Sequence, residues 1–150
     1  MKTINIFVVL AIAAMLFPCL AKAGPLEEQK MWLSGKIYGN DNDMAALRRV
    51  EITRDNGAYY AYIHNQFSFK CELTFQKATG LPGTLKNCRA VLSENKDWFS
   101  KTDVIPLKCV TLKSETVCRG KFVLCSSDEG PEWCDKSVMT IARRGNHNAH

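Results

Sequence analysis

The chain has 150 residues, 46% hydrophobic and 23% charged, with 20 basic against 15 acidic side chains and seven cysteines. It is too apolar for a disordered chain, and its charges are interspersed, whereas a nucleic-acid binder carries a clustered basic face; only Arg143-Arg144 forms a compact basic run. No apolar run approaches the roughly 20 residues that a helical membrane span needs, so no stable membrane insertion is expected.

In chain order, Lys2, the apolar run from Ile6 to Phe17 and the site Ala21-Lys22-Ala23 match the charged start, short apolar centre and A-x-A end of a secretory signal peptide. Residues 1–23 are therefore assigned to export. The short basic start and A-x-A end are bacterial in style, which makes the expected address the periplasm or the extracellular space. Cys19 follows Phe17-Pro18, where a lipoprotein signal needs small residues. Cleavage before Gly24 removes Lys2 and Lys22 and leaves 127 residues with 18 basic and 15 acidic side chains, a net charge of +3. That length suits one domain, residues 24–144, followed by a disordered polar tail, residues 145–150.

Gly24 to Lys30 reads as a polar lead-in and Met31 to Tyr38 as a first strand, with Gly35 marking a bulge. The cluster Gly39-Asn40-Asp41-Asn42-Asp43 stops that strand, and Asp43 is placed to cap one helical turn over Met44 to Arg48. From Arg49 to Ile63 the chain reads as a hairpin around Asn56-Gly57, the pair that a type I′ turn demands. This register sets Val50 against Ile63, Ile52 against Ala61 and Arg54 against Tyr59. On the other face, Glu51 meets Tyr62 and Thr53 meets Tyr60.

His64-Asn65 leads into the central strand, Gln66 to Phe75. Phe67, Phe69, Cys71, Leu73 and Phe75 share one side of it, and Ser68, Lys70, Glu72 and Thr74 share the other, as in a half-buried strand. Thr79-Gly80-Leu81-Pro82-Gly83 turns the chain back along Leu85 to Leu92, where Cys88, Ala90 and Leu92 share a side. Ser93 to Lys101 reads as a loop or short helical turn carrying Trp98-Phe99, and Val104 to Leu112 as the next strand. With Lys113-Ser114 as turn residues, Cys109 falls opposite Cys118. Ser137 to Arg143 is the last strand.

Six cysteines follow Gly24, an even number in an exported chain, which predicts three disulfides. Zinc is the rival, but no C-x-x-C pair occurs and the gaps are wide and irregular. The local pairing is Cys71 with Cys88, Cys109 with Cys118 and Cys125 with Cys134. Together these features predict an all-β fold, a small antiparallel barrel or sandwich of about seven to eight strands stapled by three disulfides.

Chemistry is sparse. A serine nucleophile needs a base, and the expected folded body holds one histidine, His64, with no G-x-S-x-G. Asp41 and Asp43 fall in a turn, Asp128, Glu129 and Glu132 fall in a disulfide loop, and both are ordinary places for solvated acids. Asp41-Asn42-Asp43 lacks the glycine and distal glutamate of a calcium loop, and His147 with His150 makes a poor metal site. No metal or cofactor is expected.

The residue types that anchor interfaces are Tyr60 and Tyr62 on the hairpin, Trp98 and Phe99 in a polar segment, and Trp133 beside Cys134. The expected function is that of a non-enzymatic binding protein, inhibitor-like or immunity-like, presenting loops on a rigid scaffold to a protein partner. The first rival is a lipocalin-like carrier with a small apolar ligand among Tyr59, Phe67, Phe69, Phe75, Met139 and Ile141. The second is a hydrolase with an unrecognised carboxylate pair.

Overall fold

The computed structural model describes residues 24–40, 48–63, 68–91, 97–127 and 132–145. The signal segment, residues 44–47 of the expected helical turn, His64, Phe67 and the tail 146–150 lie outside these. Residues 25–34, expected to be a polar lead-in running into a strand, form instead the helix α1, Pro25–Ser34. Pro25 fits the first turn, where its missing N–H would be unpaired anyway, and Glu27 and Glu28 face the positive end of the dipole. Gly35 ends this helix rather than bulging a strand, its N–H donating to the Met31 carbonyl at 2.9 Å. One α1 side chain, Trp32, is fully buried.

Ten strands follow. They are β1 (Ile37–Asn40), β2 (Arg48–Asp55), β3 (Ala58–Ile63), β4 (Phe69–Phe75), β5 (Pro82–Ala90), β6 (Trp98–Ser100), β7 (Val104–Pro106), β8 (Lys108–Leu112), β9 (Glu115–Ser126) and β10 (Trp133–Arg144). Strands β1 to β6, β9 and β10 form a closed antiparallel barrel of eight, completed where β1 and β9 both pair with β10. Closure removes the exposed edges that an open sheet leaves.

The two extra strands come from residues 98–112, which run once along the barrel but change partner. Trp98–Ser100 pairs with both β5 and β9, Val104–Pro106 with β5 alone, and Lys108–Leu112 with β9 alone. The single strand expected over Val104 to Leu112 is therefore two, separated at Leu107, which is buried and donates its N–H to Gly83. Part of the segment expected as a loop, Trp98–Ser100, is strand.

Both hairpin registers agree with the sequence reading. Val50 pairs with Ile63 and Thr53 with Tyr60 around Asn56 (φ 47°) and Gly57 (φ 82°); Cys109 pairs with Cys118 around Lys113 (φ 53°). All three disulfides join neighbouring strands: Cys71–Cys88, Cys109–Cys118 and Cys125–Cys134, with Cα separations of 4.1, 3.9 and 4.1 Å. Such a set is typical of exported proteins, because reducing compartments do not sustain it.

Phe69, Cys71 and Leu73 of β4 point inward as the period-2 pattern requires. Ser68, expected on the solvent side, is buried just before the strand, its carbonyl accepting from Val91 N–H. The interior is filled by Trp32, Phe69, Leu85, Ile105, Phe122, Met139 and Ile141 among others. At one end lie the turns around Asn56-Gly57, Ala78 and Lys113 together with α1; the other is where β6 and β10 begin.

Candidate functional site

Alternation sends Ala61 and Ile63 into the core and leaves Tyr60 and Tyr62 half-buried on the outer wall of β3. Each faces β4 across the ladder, Tyr60 opposite Glu72 and Tyr62 opposite Lys70. The Lys70 ammonium lies 4.5 Å from the Tyr60 ring centroid and 5.1 Å from that of Tyr62. This shared cation–π contact holds two rings and one charge in a fixed group, at about 0.5–1 kcal/mol for a partly exposed site.

The group continues sideways. Lys70 is in register with Arg89 of β5, and Arg89 with Phe99 of β6. Tyr62, Lys70, Arg89 and Phe99 thus form one transverse row over four strands, about 14 Å long at the ~4.8 Å strand spacing. Glu51 extends it beyond Tyr62, and Cys125 beyond Phe99. Three of the five expected aromatic residues, Tyr60, Tyr62 and Phe99, therefore belong to one wall of the barrel. They stand on strands, not loops.

Trp98 and Trp133 form a separate pair. Both are in register with Ser126 from opposite sides of β9, and their rings meet edge to face with centroids 5.8 Å apart. Trp98 packs against the core while Trp133 stays 53% exposed, so the pair sits where the barrel interior meets solvent. Trp133, expected as an interface anchor, has Trp98 as its ring partner.

Of the acids considered for catalysis, Asp41, Asp43, Asp128 and Glu129 lie outside the described residues, as do all three histidines. Glu132 is ion-paired with Lys101 at 2.6 Å. Glu132 also lies close to the sulfurs of Cys125 and Cys134, but those sulfurs are bonded to each other and offer no thiolate to a metal.

Sequence reasoning missed Lys70 and Arg89. Alternation along the central strand puts Lys70 on the outer face, but its place opposite Tyr62 depends on the β3–β4 register. Arg89 was not readable, because its alignment depends on an extra residue in β5 at Asn87. No family model matches the chain, and no curated protein or solved structure matches it either.

Proposed function

We propose that the protein is an exported, non-enzymatic recognition module, periplasmic or extracellular, whose β3–β6 wall docks against a protein partner. The observation that carries this reading is the row Tyr62, Lys70, Arg89, Phe99, with Tyr60 beside it. Tyrosine and arginine are the residues most often found at binding hot spots, because they offer large contact area with a polar tip. Here they are set on a cross-linked scaffold, so little order is lost on binding. The expected partner class is a cell-wall lytic enzyme, inhibited by occlusion, or a toxin met by an immunity-type protein. The carrier reading draws less support, since Phe69, Met139 and Ile141 are packed core residues at most 1% exposed.

The test is capture of muralytic enzymes and of the extracytoplasmic fraction by the immobilised, oxidised protein, followed by titration of what is retained. Saturable 1:1 binding that weakens at least about tenfold, or ~1.4 kcal/mol, in Tyr62→Ala and Arg89→Ala supports the reading. Binding indifferent to both substitutions, or none at all, rejects it.

A further inference from the structure

Away from that wall, the outer face of β8, β9 and β10 gathers positive charge that the linear sequence disperses. Lys108 is in register with Arg119, Lys121 with Val138, and Lys136 with Val123. Lys108, Arg119, Lys121 and Lys136 are all exposed, and among the described residues none forms an ion pair. Alternation from the buried Cys118, Gly120, Phe122 and Leu124 leaves Val117, Arg119, Lys121 and Val123 facing out from β9. On β10 the same rule turns out Lys136 and Val138, while Thr140 and Ala142 on that side are buried. Between the Arg144–Glu115 pair and the Cys125–Cys134 bridge, these outward positions include no carboxylate.

The surface is also grooved. Where β7 pairs with β5 and β8 with β9, a depression of about 590 Å³ opens beside Pro106, Lys108, Arg119 and Lys121. A second of about 450 Å³ adjoins it, sharing Lys121 and Val138 and reaching Lys136.

We infer that this groove binds an extended acidic peptide segment of a partner, independently of the β3–β6 wall. The outward side chains of β9 read valine, arginine, lysine, valine at alternate positions, and alternate side chains of an extended chain repeat every ~6.8 Å. A peptide strand laid along β9 has that same repeat. Two acids at alternate positions, flanked by apolar residues two positions away, complement charge to charge and valine to valine. Val110 and Leu112, 56% and 66% exposed, prolong the apolar end beyond Lys108. A sulfated glycan or a nucleic-acid backbone matches the charge but leaves the valines unused.

The experiment is fluorescence anisotropy of a labelled peptide, Leu-Thr-Glu-Thr-Glu-Thr-Val, titrated with the oxidised full chain. The Glu→Gln peptide is the uncharged control, and a sulfated oligosaccharide and a single-stranded oligonucleotide serve as competitors. Binding that weakens with salt, drops at least about tenfold for Lys121→Glu, and persists for Lys77→Glu on an exposed turn elsewhere supports the inference. Disulfide mapping of each variant verifies folding. Equal binding of the Gln peptide, indifference to Lys121→Glu, or tighter binding of either competitor overturns it. The Tyr62→Ala variant should bind this peptide normally, which separates failure here from failure of the recognition wall.

Discussion

Cys71 on β4 faces two residues of β5, Asn87 and Cys88, instead of one. The register passes from Glu72 opposite Lys86 to Lys70 opposite Arg89, so β5 carries one extra residue at this point. Asn87 takes the left-handed conformation, φ 52°, and donates from Nδ2 to Glu72 at 2.9 Å. Continued without the bulge, the ladder would set Cys88 against Lys70, pointing out of the barrel. The bulge brings Cys88 to the interior face of Cys71, where the disulfide closes, and aligns Arg89 with Lys70.

Asn87 should therefore accept glycine and reject a β-branched residue. Asn87→Gly loses a solvent-accessible hydrogen bond but gains free access to positive φ, and its stability should change by less than about 1 kcal/mol. Asn87→Val should cost about 1–2 kcal/mol for holding a branched residue left-handed. Chemical denaturation of both oxidised variants distinguishes them; equal stabilities would show that the bulge is not held by Asn87.

The helix is fastened by a second set of contacts. Glu28 accepts from Trp32 Nε1 at 3.1 Å and from Arg143 Nη2 at 2.6 Å, and the Arg143 guanidinium lies 5.6 Å from the Trp32 ring centroid. Both charged side chains are only 15% exposed, and Arg143 Nε is buried without a partner. Glu28→Ala strands a buried cation and an indole N–H, and should cost about 2–4 kcal/mol. Glu28→Gln keeps an acceptor for both and should cost about half as much. The comparison is read from unfolding midpoints, and an Ala variant as stable as Gln would mean that the pair does not anchor α1.

What was legible in the sequence is what depends on local rules. Asn56-Gly57 has one comfortable turn, so the register from Val50 to Ile63 follows, and with it the outward position of Tyr60 and Tyr62. Counting from Lys113-Ser114 likewise places Cys109 on Cys118. Where tertiary packing decides, the sequence misleads. Met31-Trp32-Leu33 has the apolar density of a strand, yet Trp32 is buried from a helix because Glu28 and Arg143 satisfy its N–H and stack on its ring. The partner change of residues 98–112 has no local signature, since pairing with β5 or β9 presents the same extended backbone. The basic groove was nevertheless implicit: Lys108 opposite Arg119 follows from Cys109 opposite Cys118, and Lys136 opposite Val123 from Cys134 opposite Cys125.

The Cys109–Cys118 bridge offers a direct measure of how much the staples add to a register already specified by a turn. It closes a sequence separation of nine residues, for which loop-closure entropy gives about 2–3 kcal/mol. Thr111 and Thr116 are hydrogen-bonded at 3.0 Å two pairs nearer the turn, and Cys118 is fully buried. Cys109→Ala with Cys118→Ala should lower stability by that amount and leave the strand spectrum in far-UV circular dichroism unchanged. Loss of strand signal under native conditions would show that the bridge, not the turn, sets the register.

The three bridges should differ in their order of reduction, because a reductant must reach a sulfur before it attacks. Cys71 is fully buried and Cys88 only 9% exposed, while Cys118 is fully buried beneath a partly covered Cys109. Cys125 is buried as well, but Cys134 is exposed at the second residue of β10, beside the exposed Trp133. A limiting, membrane-impermeant phosphine should therefore open Cys125–Cys134 first, as detected by alkylation and mass mapping. That cleavage frees the start of β10 where Trp133 meets Trp98, so tryptophan emission should shift with the first equivalent of reductant. The β3–β6 wall retains its own staple, Cys71–Cys88, and the partner binding proposed for Tyr62 should survive this step. First reduction at Cys71–Cys88 would show that sulfur exposure does not set the order, and loss of the proposed partner binding with the opening of Cys125–Cys134 would show that the two ends of the Phe99 row are not independent.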